Sequence, residues 1–468
     1  MRINVLAKHE IERIKTETEK LIEGMGIKVM DARLRETARK KGAIVDEYAM
    51  TVRIPAELLR ELLSTVPGSY TVCGIDGAEY VVGDGQRYIH SLVMDPWIID
   101  YETGALRKPS LKDVRTNTIL AQKNPKVLQV SRMDFPVSEY SDGTSSLRAL
   151  EVYFMNLTKH YSIYAASAEG LKHYMDIGAL IAPGGELAGS KLFSMAVGMV
   201  SPMVLTEFNA ELLITATNHG FAVMPTICPM AGSTSPYNVA TTLLQGNVEN
   251  IFLAAMTQML NPGNPYLYIF GPSVSEMQQG KSLYYTMDKV LWKMAHVELG
   301  KAYNMPTVAE CGGTLSHRYD MQSGAESMLF MLSAQISGCD ILAGIGSCCN
   351  ANGLSSEMIA IQSAWLEAAE YLGNGISFEY FDEGIESIRA QGQGGHFLMD
   401  DLTIKLLRSG EIFSSGLFDM SGGYVASPSI LEKAHVRVEE LEAGFVSPVP
   451  GDAQEKISRY FHDLYKTM

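Results

Sequence analysis

The chain lacks three things that would each have fixed its class. It has no run of about 18 uninterrupted apolar residues, the length a helix needs to cross a bilayer, and residues Met1 to Glu10 lack the basic-then-apolar plan of an export signal. It is short of positive charge: 38 Lys and Arg stand against 53 Asp and Glu, a formal net charge of −15. That balance argues against nucleic acid as a main partner, because phosphate binding needs clustered cations. Cysteine is also scarce, with six (Cys73, Cys228, Cys311, Cys339, Cys348, Cys349) in 468 residues, too few for a disulfide framework. The expectation is a cytoplasmic protein with reduced thiols, no membrane association and no nucleic-acid partner.

With 46% hydrophobic and 19% charged residues the chain can bury a large core. Its clearest unit runs from Phe221 to Gly271. A short apolar run leads into a Gly/Ser/Thr/Pro loop, then a segment of helical length ending at Asn261-Pro262-Gly263, then a second apolar run from Tyr266 to Phe270. Strand, loop, helix, strand is one βαβ unit. Comparable apolar runs near 126–133, 161–166, 193–200, 307–311 and 341–346 are each followed by helical length, and Gly395-His396-Phe397-Leu398 can serve as a short eighth. The fold class read from this alternation is α/β, a (β/α)8 TIM barrel over residues 126–400.

Residues 1–125 read as an α+β region packed on that barrel. Helices are expected over 8–25, over 31–41 and from Pro55, and β-hairpins over 70–101, where Asp76-Gly77 and Gly83-Asp84-Gly85 punctuate β-rich runs. Ser110 is the expected N-cap of a helix to about Lys123. Residues 401–468 read as a helical extension, turn-rich around Ser421 to Tyr424, that covers one face of the barrel.

In such a barrel the chemistry sits at the C-terminal ends of the strands. The groups placed there are Arg132, Asp134, Cys228, Met230, Tyr237, Phe270, Glu310, Cys311, His317, Cys348, Cys349 and His396. Tyr237 and Phe270 read first as core or rim packing, with an aromatic cage as the alternative. Glu310 needs a partner if buried, and Arg132 is a candidate. His396, set among Gly392, Gly394 and Gly395, is where backbone comes close. Cys348 and Cys349 with Cys311 could offer three thiolates to zinc, but no C-x-x-C is present and zinc is not expected.

These stretches carry a family resemblance. Pro225-Thr-Ile-Cys-Pro-Met-Ala-Gly-Ser-Thr-Ser-Pro236, Gln245-Gly-Asn-Val-Glu249, Asn304-Met-Pro306, Gly312-Gly313, Asp320-Met-Gln322 with Glu326, Gly338-Cys-Asp340 and Gly394-Gly-His-Phe-Leu398 with Thr403 follow one another as in the trimethylamine methyltransferase superfamily. Asp100-Tyr-Glu-Thr-Gly104 through Pro109-Ser110 resembles its N-terminal part. The resemblance implies a TIM barrel that moves a methyl group from a methylated amine to the cobalt of a corrinoid (cobalamin) carried by a cognate partner protein. The founding enzymes carry pyrrolysine, placed near Gly312 to His317; this chain has standard residues only, and so resembles the glycine betaine methyltransferases and relatives acting on other quaternary amines. On that reading Tyr237, Phe270, Tyr268 and Trp97 surround the ammonium, His396 meets the carboxylate, and Glu310 acts as a longer-range electrostatic group. The backbone at Gly232, Ser233, Gly312 and Gly313 comes closest to the cofactor. A zinc-dependent thiol methyltransferase and a non-catalytic betaine-binding protein are the rival readings. The 26 methionines suit a docking surface between copies as well as a core.

Overall fold

The computed structural model describes residues 4–423 and 427–468. The first three residues of the amino-terminal stretch and Tyr424 of the expected turn lie outside them. Seven parallel strands form the central sheet, in the order Ala222–Ile227, Phe193–Met199, His160–Ile163, Val127–Arg132, Tyr88–Leu92, Ile341–Ile345 and Val308–Glu310. Single parallel bridges from Val223 to Tyr266 and from Tyr268 to Thr307 attach the segment 266–270 to both edges. The sheet therefore curls until its two edge strands share one neighbour. Helices of 12 to 22 residues follow the strands, as parallel crossovers require, from Leu111–Lys123 round to Ser356–Asn374. No helix among the described residues is long and apolar enough to cross a membrane.

The seven apolar runs expected as strands all join this ring. Two expectations about it are corrected. Gly395 to Leu398 is an exposed turn, not a strand. The missing strand is Tyr88–Leu92, taken from the region read as hairpins, so the sheet begins inside residues 1–125 and not at 126. Its partner Ile341 pairs with Tyr88 across some 250 residues of chain, a match that no local pattern reveals. The other N-terminal expectations hold: helices Lys8–Gly24, Ala32–Lys40 and Ala56–Ser64, an antiparallel hairpin of Tyr70–Cys73 with Glu79–Val82, and Ser110 capping Leu111–Lys123 through Asp113 N–H.

Strand alternation decides which side chains look inward. In the segment 266–270, Leu267 and Ile269 join the cluster inside the curl with Leu128, Met224, Val308 and Ile341. Tyr266, Tyr268 and Phe270 fall on the opposite face, toward the helices, as a period of two demands. The Tyr268 hydroxyl donates to Asn247, and the Phe270 ring lies against Gly246, where a Cβ would stand 2.5 Å from it, with His296 at 5.3 Å between ring centres. Tyr268 and Phe270 are therefore core residues and cannot surround a substrate at the strand ends.

Phe270→Ala should accordingly lower stability by about 3–5 kcal/mol, read as a fall in the denaturant midpoint. Amine affinity measured on the remaining folded protein should not change.

Candidate active site

The C-terminal ends of the parallel strands gather a set of polar side chains that only partly matches the sequence reading. Glu310 ends the strand Val308–Glu310 and is buried. Arg132 is not its partner, because that guanidinium is held 2.8 Å from Asp134. Glu310 instead accepts from the Tyr284 hydroxyl at 3.0 Å and lies 3.7 Å from the Lys289 ammonium, and Lys293 makes an ion pair with its other oxygen. Both lysines rise from the helix Met287–Ala302, one turn apart, and also donate to backbone carbonyls: Lys289 to Pro272 at 3.2 Å and Lys293 to Phe270 at 2.8 Å. Burial drives both ammonium groups well below the lysine range, with Lys289 adding to the effect on Lys293. Two charged lysines would exceed what one carboxylate can balance, so no more than one of them is matched by Glu310.

Tyr284 and Tyr285 precede that helix and close the site. The antiparallel ribbon Ser273–Glu276 with Lys281–Leu283 delivers them. Asn350, in the left-handed region at φ 58°, fastens them from the other side: its side chain accepts from Tyr284 N–H at 2.6 Å and donates to Ser282 O at 2.6 Å. Tyr285 donates to Ser347 at 2.9 Å and lies over Gly313, whose φ of +117° and absent Cβ make room for the ring. Tyr164, half-buried, stacks on His90, and Cys228, exposed at the end of Ala222–Ile227, lies beside Tyr164 and Tyr284. His90 hydrogen-bonds Ser131 at 2.5 Å, and burial lowers its pKa to about 3, so it is neutral.

One group in this set stands apart. Asp95 follows the strand Tyr88–Leu92, is only 5% exposed, and its charge is felt by Tyr285, Cys348 and Cys349. Among the described residues it has no hydrogen-bond or ion-pair partner, and desolvation alone raises its carboxyl to about 7.

Several expected site residues lie elsewhere. His396 is exposed in a turn beyond the sheet. Tyr237 is 70% exposed and packs on Gly232. The face of Trp97 is taken by Lys108, 3.8 Å from the ring centre. Gly232 lies under Tyr237 and Met277, with Ser233 exposed next to it; Gly312 abuts Gly344 and Gln362, and Gly313 is filled by Tyr285, so the two strand-end glycines serve packing and not a ligand's approach. The sulfurs of Cys348 and Cys349 are 3.7 Å apart, yet no group of three His, Cys, Asp or Glu among the described residues is placed to hold a metal ion, so Cys311 does not complete a thiolate set. Sequence reasoning missed Asp95, Tyr284, Tyr285, Lys289 and Lys293. The lysines had left a signal: they recur four apart on the same stripe as Trp292 and His296, where a charge needs a buried partner.

The trimethylamine methyltransferase (MTTB) family model matches residues 1–424. The chain belongs to that family. Among its relatives, the glycine betaine methyltransferase of Desulfitobacterium hafniense (strain Y51) is 25% identical over 463 residues, covering 95% of this chain and 93% of the other. The trimethylamine methyltransferase MttB of Methanosarcina thermophila is 23% identical over 463 residues, covering 96% and 95%. A crystal structure of a hydroxylamine complex of MtmB shares the fold, with a TM-score of 0.51 at 12% identity over 93% of this chain and 94% of that one. Family membership places the chain among methyltransferases, a family whose named relatives include trimethylamine and glycine betaine enzymes.

A carboxyl raised to about 7 on folding keeps its proton where the unfolded chain has released it, so stability falls as pH rises from about 4 and the loss is complete above about 7. Between pH 5 and 8 the wild type should lose about 2–3 kcal/mol relative to Asp95→Asn. Denaturant titrations of the two proteins at several pH values check it; parallel curves would contradict it.

Proposed function

We propose that the curled sheet is a (β/α)8 barrel and that the protein moves a methyl group from a quaternary ammonium to the reduced cobalt of a corrinoid presented by a separate protein. The observation that supports this reading is Asp95, a buried acid with no protein cation to answer it, at the strand ends beside Tyr285, whose ring in turn meets Tyr284 edge to face. A bound ammonium supplies the missing charge, and tyrosine faces attract its N-methyl groups by about 0.5–2 kcal/mol.

The chemistry asks little else of these residues. The acceptor supplies a nucleophile to the methyl carbon, the C–N bond breaks with its electron pair going to nitrogen, and the amine leaves neutral, so no proton has to be delivered. What the chain contributes is alignment and exclusion of water. Tyr284, fixed between Glu310 and Asn350, serves the first, and the Tyr284–Tyr285 pair, edge to face at 5.1 Å, serves the second. As charge leaves the nitrogen, an ionised Asp95 stabilises the bound substrate more than the transition state. Its contribution is therefore expected in KM more than in kcat.

The test is methyl transfer to free cob(I)alamin, followed spectroscopically with a panel of quaternary amines and repeated with the cognate corrinoid protein. Glycine betaine heads the panel because the Desulfitobacterium relative is named for it. Transfer from one of them is expected, with Asp95→Asn raising KM at pH 8 by about tenfold or more, the equivalent of ~1.4 kcal/mol. No transfer from any amine with either acceptor would overturn the proposal and leave a betaine binder.

A further inference from the structure

Three consecutive residues other than glycine, Cys349, Asn350 and Ala351, hold φ of 53°, 58° and 59°. Such residues enter this left-handed region singly and not in runs, because Cβ meets the following carbonyl oxygen. Strain of this kind persists only where surrounding contacts enforce it, and it collects at switches and functional sites. The contacts here are Cys349 N–H donating to Ser316 O at 3.1 Å and Asn350 N–H donating to Thr314 O at 2.9 Å. The same turn anchors both site tyrosines. Ser347, two residues before it, accepts from the Tyr285 hydroxyl, and the Asn350 side chain holds Tyr284 N–H.

Two free thiols meet at the head of this turn. The sulfurs of Cys348 and Cys349, 3.7 Å apart, share one cradle: a Cβ on Gly353 would stand 2.8 Å from the Cys349 sulfur and 3.4 Å from that of Cys348. Each residue is only 1% exposed, and Ile99 and Tyr319 pack around them. Their mutual contact makes the two unequal. It pushes the Cys348 thiol well up, with burial adding to the effect, and draws Cys349 down. Cys349 is therefore the sulfur that ionises and attacks.

From this arrangement we infer that Cys348 and Cys349 are a reversible oxidation site whose vicinal disulfide displaces Tyr284 and Tyr285. The oxidant is hydrogen peroxide, because a pair this buried admits only a molecule near the size of water. The Cys349 sulfur takes one peroxide oxygen as the O–O bond breaks, giving a sulfenic acid and one water. The Cys348 sulfur then attacks it, a second water leaves and the S–S bond forms. The two thiols lose two electrons, the peroxide gains them, and both thiol protons leave in the waters. A disulfide holds its sulfurs about 2.05 Å apart, so these two close by roughly 1.6 Å and the turn moves with them. Ser347 and Asn350 flank the pair directly, and their shift releases both tyrosines at once. Adjacent Cα atoms stand about 3.8 Å apart, short of the usual minimum of about 4.4 Å for a disulfide. The bond is thus strained and easily reduced again. That the release also halts methyl transfer rests on the function proposed above; the disulfide does not.

Mass spectrometry of the full chain after treatment with hydrogen peroxide tests this. The peptide holding residues 348 and 349 should become lighter by two hydrogens, resist alkylation, and regain both thiols with dithiothreitol. Cys348→Ser should instead trap Cys349 as a sulfenic acid that dimedone captures. Hydrogen exchange at the Tyr284 amide should be about tenfold faster or more in the oxidised wild type than in the reduced. Peroxide should leave that exchange unchanged in Cys348→Ser with Cys349→Ser. Thiols that stay reduced, a disulfide to any other cysteine, or a vicinal disulfide that leaves Tyr284 exchange unaltered would each overturn the inference. None of these outcomes depends on methyl transfer, so a failure here is distinct from a failure of the proposed function.

Discussion

A carboxylate taken out of water must be protonated, hydrogen-bonded or met by a cation, and the candidate site is organised around one that the protein leaves unmet. Other buried acids in the chain have their answers. Asp113 has Arg107, Asp340 has Lys301 and Thr307, Glu310 has two lysines and a tyrosine, and Glu249 accepts from Ser201, Met203 N–H and Gln245. Asp95 has none of these, though it lies among side chains of the same polarity. A fold that satisfies its other buried acids so fully and leaves this one at the strand ends has kept a place for an outside cation.

The rest of the site fixes Tyr285 beside that acid and Tyr284 against the Tyr285 ring. Tyr285 could not lie where it does over any residue with a side chain at 313, and Tyr284 is aimed by two groups 26 and 66 residues further along the chain, Glu310 and Asn350. The Glu310 cluster fixes the ring and keeps buried charge balanced without occupying Asp95. One acid at the strand ends is thus neutralised and a second is left without a cation.

The sequence made the α/β class and seven of the eight parallel segments legible because each combines an apolar run with helical length after it. The remaining strand, Tyr88–Leu92, follows a true hairpin and resembles it locally; only its pairing with Val127–Arg132 and Ile341–Ile345 separates the two. The site was less legible. Glu310 was found because strand ends are readable. Phe270 and Tyr268 were misplaced because strand-end position says nothing of face, and here alternation with Leu267 and Ile269 turns them toward the helices. His396 was misplaced because its glycines mark a turn in a surface stretch and not a ligand's approach. Asp95 gave no periodic signal at all: its significance is a missing partner, visible only once every neighbour is in place.

Calorimetry with a quaternary amine and its tert-butyl analogue, in which carbon replaces the charged nitrogen at nearly the same size, tests the central claim most directly. At pH 8, where Asp95 is ionised, the cation should bind about tenfold or more tightly than the neutral analogue, a difference of ~1.4 kcal/mol or above. At pH 5.5, where the carboxyl holds its proton, that preference should shrink. Equal binding of the two ligands at pH 8 would contradict the claim that the site is built around a charge awaiting a cation.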